Sequence, residues 1–388
     1  MSEIKIAADS GGGSVSLKGP ATTTGNAAIQ LTLPDVATGG SVVTADSSGN
    51  ITASNFSGRN LISNGEFLIA QRSTAAVTTS AGSNEGYQTV DRWRFYVVGT
   101  AAFTQQQVEL TTDAAPDGFS RALKIDCTTA DTSVAAGDYV NLQQNIEGFD
   151  WAHLNYGRSD AKTVTISFWV KATKTGTYTF GLRNEAANRS YVAEYTVNST
   201  NTWEKKTITI AGDTSGTWTT DNGLGARCAF SLMNGTDGTA AANSWHAGNY
   251  CSTTNQVNGM DNTDNNFLIT GVQLEVGPAT EFEHRFYGDE LLRCQRYYEG
   301  VIMGTGTAIF RTWTNQTNVT NVEYNYKVEK RASPTFSLEG NGTWHPGGDS
   351  GMSAYPSTSV CLFQRNDETG QYLTDANGDL CCSFSAEL

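Results

Sequence analysis

Apolar and polar residues alternate through much of this chain in short runs separated by Gly, Asn and Asp. The runs include RWRFYVVG (92–99), RALKIDCTT (121–129), YVNLQQNIE (139–147), TVTISFWVKA (163–172), TYTFGLRN (177–184), SYVAEYTV (190–197), WEKKTITI (203–210), ARCAFSLM (226–233) and NFLITGVQLEVG (266–277). A period of two marks strands buried on one face, and so many of them without helical periodicity predict a β-sandwich or barrel. In TVTISFWVKA, Val164, Ile166, Phe168 and Val170 share one face, which turns Trp169 to the other. In the last run Leu268, Val272, Leu274 and Val276 form the expected inward set. Gln273 and Glu275 are left on a polar opposite face, where a jelly roll would carry a groove.

The texture differs at both ends. Residues 1–58 hold only Phe56 among aromatics, with alternating runs at 14–19 and 28–34 and an expected hairpin in SVVTADSSGNITASN (41–55). A segment so poor in large apolar groups is expected to order against a partner or against copies of itself. After Gly288, DELLRCQRYYE predicts a helix, with Asp289 as its cap and Leu291, Cys294 and Tyr298 on one stripe. Strand texture then returns, in TAIFRTWTN, TNVEYNYKVEKRASPTFSLEG, SVCLFQ and LCCSFSAEL. The expected plan is all-β: an N-terminal segment over 1–58, a β-sandwich over 59–287, and a linker helix with a smaller β-domain over 288–388. The polar stretches 211–225 and 234–265 are long for loops, and Trp218, Trp245 and Tyr250 are expected to pack under them or to meet a surface.

Composition narrows the function. Charged residues make up only 16% of the 388 and the formal net charge is −14, so the basic stripe that phosphate contacts need is missing and nucleic-acid binding is excluded. No apolar run approaches the ~20 residues of a membrane helix, and the start lacks the features of a secretory signal, so membrane insertion is not expected and assembly in a cytoplasm is. The seven cysteines show no zinc-type spacing and read as buried thiols.

GVQLEVGPATEFEHRFYGDELLRCQRYYEG (271–300) gathers Glu275, Glu281, Glu283, His284, Arg285 and Cys294, and so poses the question of an active site. The four histidines lie far apart in turn-like contexts outside any nucleophile or zinc motif, and no catalytic residue is assigned. A two-carboxylate hydrolase using Glu275 and Glu281 stays open as an alternative. Asp261 and Asp264, with Asn262 and Asn265, are weak calcium candidates against a plain polar turn. Asp375, Asn377 and Asp379 begin like a calcium loop but meet Ala386 where its last acid belongs, and Asn377-Gly378 reads instead as a hairpin turn. No cofactor is expected. Trp169, by its parity, is the best candidate for stacking on a sugar ring, and Gln273 and Glu275 remain open as ligand contacts. Gln144 shares its face with Val140, Leu142 and Ile146 and reads as a hydrogen-bonded structural residue.

NLISNGEFLIAQR (60–72), VDRWRF (90–95), YVNLQQNIEGFDW, TVTISFWVKATKTGTY, NTWEKKTITI and FLITGVQLEVGPATEFEHRFYGDELLRCQRYYEG together resemble the jelly-roll module of bacteriophage tail-fibre and related virion proteins. The similarity spans about 59–300. KRASPTFS (330–337) and the terminal SFSAEL resemble the ending of the same proteins, and SVSLKGPATTTGNAAIQLTLPD is similar to the attachment segment of some phage fibres. The resemblance implies a non-enzymatic virion protein with a jelly roll akin to carbohydrate-binding modules. It would be attached to other virion proteins through residues 1–58, contact host cell-surface polysaccharide, and form a homotrimer. A head decoration or cement protein and a virion-borne depolymerase are the alternatives.

Overall fold

The computed structural model describes residues 3–7, 14–18, 58–111, 115–302, 320–339, 343–345, 352–365, 372–374 and 380–388. The expected runs at 28–34 and 41–55, TAIFRTWTN and the Asp375–Asp379 turn lie outside them. The chain divides into two compact units, Met1–Ser54 and Asn55–Leu388. In the first, Glu3–Ala7 (β1) and Ser14–Lys18 (β2) pair antiparallel, Glu3 opposite Lys18.

The second unit is built on two six-stranded sheets sharing one core. The first sheet orders Ser244–His246 (β13), Ser190–Val197 (β10), Gly176–Arg183 (β9), Leu224–Asn234 (β12), Tyr139–Glu147 (β7) and Arg94–Val98 (β4). The second orders Glu204–Ile210 (β11), Val164–Ala172 (β8), Asn266–Val276 (β14), Arg121–Thr129 (β6), Ala102–Glu109 (β5) and Val77–Ser80 (β3). The chain passes back and forth between the sheets, as in a jelly roll, and the ladders are antiparallel. Val164, Ile166, Phe168 and Val170 are all fully buried, as their alternation requires. From the other sheet Phe230 meets the ring of Phe168 at 5.0 Å and that of Phe180 at 5.1 Å, so the aromatics lock the two layers together.

The last strand departs from simple alternation. Phe267 and Ile269 face the core, and beyond a bulge Val272 and Leu274 do, whereas Leu268 is half-buried and Val276 is exposed. The bulge lies between Thr270 and Gln273, and Gly271 supplies its left-handed backbone at φ 60°. A side chain there would also strike the Phe119 ring at 2.6 Å. One extra residue thus reverses the phase of the strand.

β11 is an edge strand, blunted by Lys205 and Lys206. Glu204 fastens its start, accepting from the backbone N–H of Asn198 and Ser199 (2.8 Å each) and from Lys206 (2.6 Å). Burial alone would raise its carboxyl pKa, but these donors outweigh it and hold the group down at about 2 against 4.5 unperturbed. A depressed carboxylate stabilises above its unfolded pKa and loses that contribution as pH falls through the folded one. Glu204→Gln should therefore melt below the wild type at pH 7, and the gap should close as thermal scans are taken from pH 4.5 toward 2.

A short helix, Gly148–Trp151 (α1), follows β7, and the expected helix after the sandwich is Tyr287–Gln295 (α2). Its cap position is Phe286 and no side chain caps it; Asp289 sits inside the first turn, and Tyr298 already belongs to the next strand. Cys294 is buried. The C-terminal part has two three-stranded sheets. One orders Tyr298–Ile302 (β15), Leu380–Ser385 (β22) and Thr335–Leu338 (β17); the other orders Thr320–Asn325 (β16), Val360–Arg365 (β20) and Met352–Pro356 (β19). Thr343–His345 (β18) pairs with Tyr372–Thr374 (β21). Tyr326, Cys361, Phe363, Cys382 and Phe384 form a small core.

Candidate functional site

The residues of 271–300 divide among structural tasks. Glu283 accepts from the backbone N–H of Gly58 and of Asn60, and Arg285 donates to the carbonyls of Asn60 and Ile62. Glu290 accepts from Asn64 N–H at 2.5 Å and pairs with Arg285 at 3.2 Å. His284 meets Glu66 at 3.0 Å. These side chains form a collar around the first residues of the sandwich.

Gln273 and Glu275 lie on the outer face of the second sheet, as alternation after the bulge requires, but segment 278–283 covers them. Thr280 donates to both oxygens of Glu275, at 2.8 Å from its N–H and 2.6 Å from its hydroxyl. The Gln273 amide donates to Glu275 and accepts from Glu283 N–H at 2.7 Å. Both residues are buried and their polar atoms are already used. Trp169 is half-buried on the same sheet, its ring beside Gly271. Asp261 is occupied by Lys174 and by the Asn265 amide at 2.8 Å, while Asp264 is exposed. Among the described residues no three His, Cys, Asp or Glu gather as a metal set. Gln144 bonds Ser63 through both ends of its amide, at 2.8 Å each.

The open concavity lies on the first sheet. In β7, Val140, Leu142 and Ile146 turn to the core, so Tyr139, Asn141, Gln143 and Asn145 turn outward. Register fixes their neighbours: Tyr96 stands opposite Asn141, Arg94 opposite Gln143, and Arg227 opposite both Asn145 and Arg183. Ala229 lies between Gln143 and Gly181, which leaves the middle of the floor nearly bare of side chains. The loop after β12 folds over the far side, with Cys251 so close that a Cβ on Gly181 would lie 2.7 Å from its own. The result is a groove of about 290 Å³ with Tyr96 and Tyr139 on one flank and Asn249 and Tyr250 on the other.

Its polar groups are arranged unusually for a plain surface. Asn141 Oδ1 and Gln143 Oε1 are buried and have no partner within the protein. An acceptor left in that condition costs about 1–3 kcal/mol, a cost that a donor reaching the groove floor would relieve. Arg94 lies 4.2 Å over the Tyr96 ring and donates to the Leu388 carbonyl at 3.0 Å. Arg183 donates to Asn249 Oδ1 and Arg227 Nε to Asn145 Oδ1 at 2.8 Å. Burial, then the charges of Arg183 and Arg94, draw the Arg227 pKa down to about 10, and burial lowers that of Arg183.

The long loops part company. Trp218 is buried and Trp245 half-buried in one aromatic cluster, Trp218 5.7 Å from both Trp151 and Trp245. Tyr250 lines the groove. The ligand contacts expected from the sequence lie on the second sheet, whereas the open groove lies on the first. The outward positions of YVNLQQNIE carry three amides where an ordinary solvent face carries charges.

No protein-family model matches the chain, and no curated protein matches it. The solved structures that match the chain share little sequence with it. A putative sugar binding protein from Bacteroides thetaiotaomicron is 12% identical over 56% of this chain and 100% of its own, at a TM-score of 0.30. The family 11 carbohydrate-binding module of a Clostridium thermocellum cellulase is 14% identical over 55% of this chain and 99% of its own, at 0.27. The enzymatically active domain of tailspike protein 4 from bacteriophage CBA120 is 14% identical over 56% of this chain, at 0.29, and the chain spans only 21% of its length.

Proposed function

We propose that the protein is a saccharide-binding component of a phage virion, a tail fibre or spike joined to the particle through residues 1–58, and that the groove of the first sheet holds host-surface glycan. The observation that carries the binding reading is the pair of buried, unpartnered acceptors Asn141 Oδ1 and Gln143 Oε1 on the floor of a tyrosine-flanked groove. Sugar hydroxyls donate to such acceptors while their C–H faces lie on aromatic rings. The virion reading is supported by the ordered motifs over 59–300 and at the C-terminus. Assembly as a trimer would multiply weak contacts into avidity.

Gln143→Met tests the reading, because it keeps the volume and removes the acceptor. A glycan array followed by calorimetric titration should show saccharide binding by the wild type and at least a roughly tenfold loss in the variant, about 1.4 kcal/mol. Thermal stability should hold or rise, since an unsatisfied buried group has gone. Unchanged affinity in the variant, or an array with no bound saccharide, would remove the proposal.

A further inference from the structure

The charge pattern of the groove points to the class of saccharide, an inference that rests on the binding reading above. Arg183 and Arg227 stand directly opposite each other on neighbouring strands, and Arg94 lies two rows along the outer face of the same sheet. Like charges in cross-strand register oppose the pairing of the strands. The chain has acids in excess, at a formal net charge of −14, and it pairs several of its enclosed arginines with one: Arg189 with Asp213 at 2.6 Å, Arg296 with Glu147 at 2.6 Å, and Arg92 with Glu387; Arg59 and Arg331 donate to carbonyls instead. Among the described residues no acidic side chain pairs with Arg183 or Arg227, whose oxygen partners are the neutral amides of Asn249 and Asn145; Arg94 donates to the main-chain oxygen of Leu388. The acid on the groove wall, Asp237, is exposed and outside ion-pair range of all three.

We propose that Arg183 and Arg227 form an anion subsite in the groove, and that the saccharide it takes carries an oxyanion substituent, a carboxylate or a sulfate. The planar guanidinium forks match either group with two parallel hydrogen bonds. The neighbouring Asn141 and Gln143 acceptors then receive hydroxyls of the same or the adjoining ring. The bound anion supplies the counter-charge that the fold withholds, so the site is complementary to the ligand at the expense of its own cross-strand repulsion.

The full chain is screened on an array bearing acidic and neutral saccharides, and bound species are titrated in matched pairs: an oligogalacturonate with its methyl ester, and a carrageenan oligosaccharide with its desulfated form. Binding should favour the acidic member by at least roughly tenfold and weaken as salt rises. The pair that shows the preference identifies carboxylate or sulfate. Arg183→Gln and Arg227→Gln should abolish the preference while sparing affinity for the neutral member, and Arg227→Lys should keep part of it. The melting temperatures of the glutamine variants should hold or rise; a fall of many degrees would mark the arginines as structural and overturn the subsite. Equal binding of neutral and acidic members, unaffected by the substitutions, would overturn the anion subsite and leave the saccharide groove standing. No saccharide bound at all would overturn both.

Discussion

Glu299→Ala is expected to lower the unfolding free energy by about 3–5 kcal/mol, the cost of stranding a buried charge. The charge is Lys330, whose ammonium is fully enclosed and meets Glu299 Oε2 at 2.6 Å and the carbonyl of Gln295. Burial lowers the Lys330 pKa, and Glu299 acts against that shift. Glu299 also accepts from Tyr324 Oη at 2.6 Å and from Lys327 N–H at 3.2 Å, so it joins β15 to β16 and to the segment that follows it. Urea unfolding of the single variant should show the loss. Glu299→Leu combined with Lys330→Met should recover most of it, because no charge is then left alone in the interior.

Glu387→Ala should cost a comparable amount, about 3–5 kcal/mol, read by the same measurement. Glu387 pairs with Arg92 and, at 3.2 Å, with Arg72. Arg92 is buried, lies 3.4 Å over the Tyr297 ring, and donates to the Asn145 carbonyl at 2.6 Å. Burial alone would depress its pKa, but the Glu387 carboxylate more than offsets this and the value rises. Arg92 also holds a left-handed backbone at φ 72°, a conformation a non-glycine residue keeps only when its surroundings enforce it. The adjacent Leu388 carbonyl accepts from Arg94 and, at 2.6 Å, from the Asn145 amide, both beside the groove. Loss of Glu387 should therefore loosen that flank as well.

The sandwich was legible because its code is local: Val164 to Val170 alternate and all four are buried. The helix was legible as an element but not in its limits, since nothing local announces a start at Tyr287 without a side-chain cap. β14 could not be phased from its pattern, because the bulge between Thr270 and Gln273 shifts its register, and the glycine it uses is one where a side chain would strike Phe119, a residue distant in the sequence. The candidate site was hidden for a related reason. Gln273 and Glu275 do lie on an outer face, yet what covers that face is chain 278–283, a tertiary fact. Arg183 and Arg227 are 44 positions apart in the sequence, and only the β9 to β12 pairing makes them neighbours. Gln144 was read correctly because its apolar companions Val140, Leu142 and Ile146 already placed it inside.

The collar at the start of the sandwich has a mechanical meaning. Tension arriving along the chain ahead of Gly58 does not fall first on a strand ladder. It falls on Glu283 and Arg285, which grip Gly58, Asn60 and Ile62, and on Arg59, which holds the Glu281 carbonyl at 2.9 Å. Behind them Leu61 N–H donates to the Leu274 carbonyl at 2.8 Å, inside the sheet that backs the core. The bonds that yield first under load are thus charge-assisted ones at the rim. The groove lies on the opposite sheet and shares none of these rim bonds.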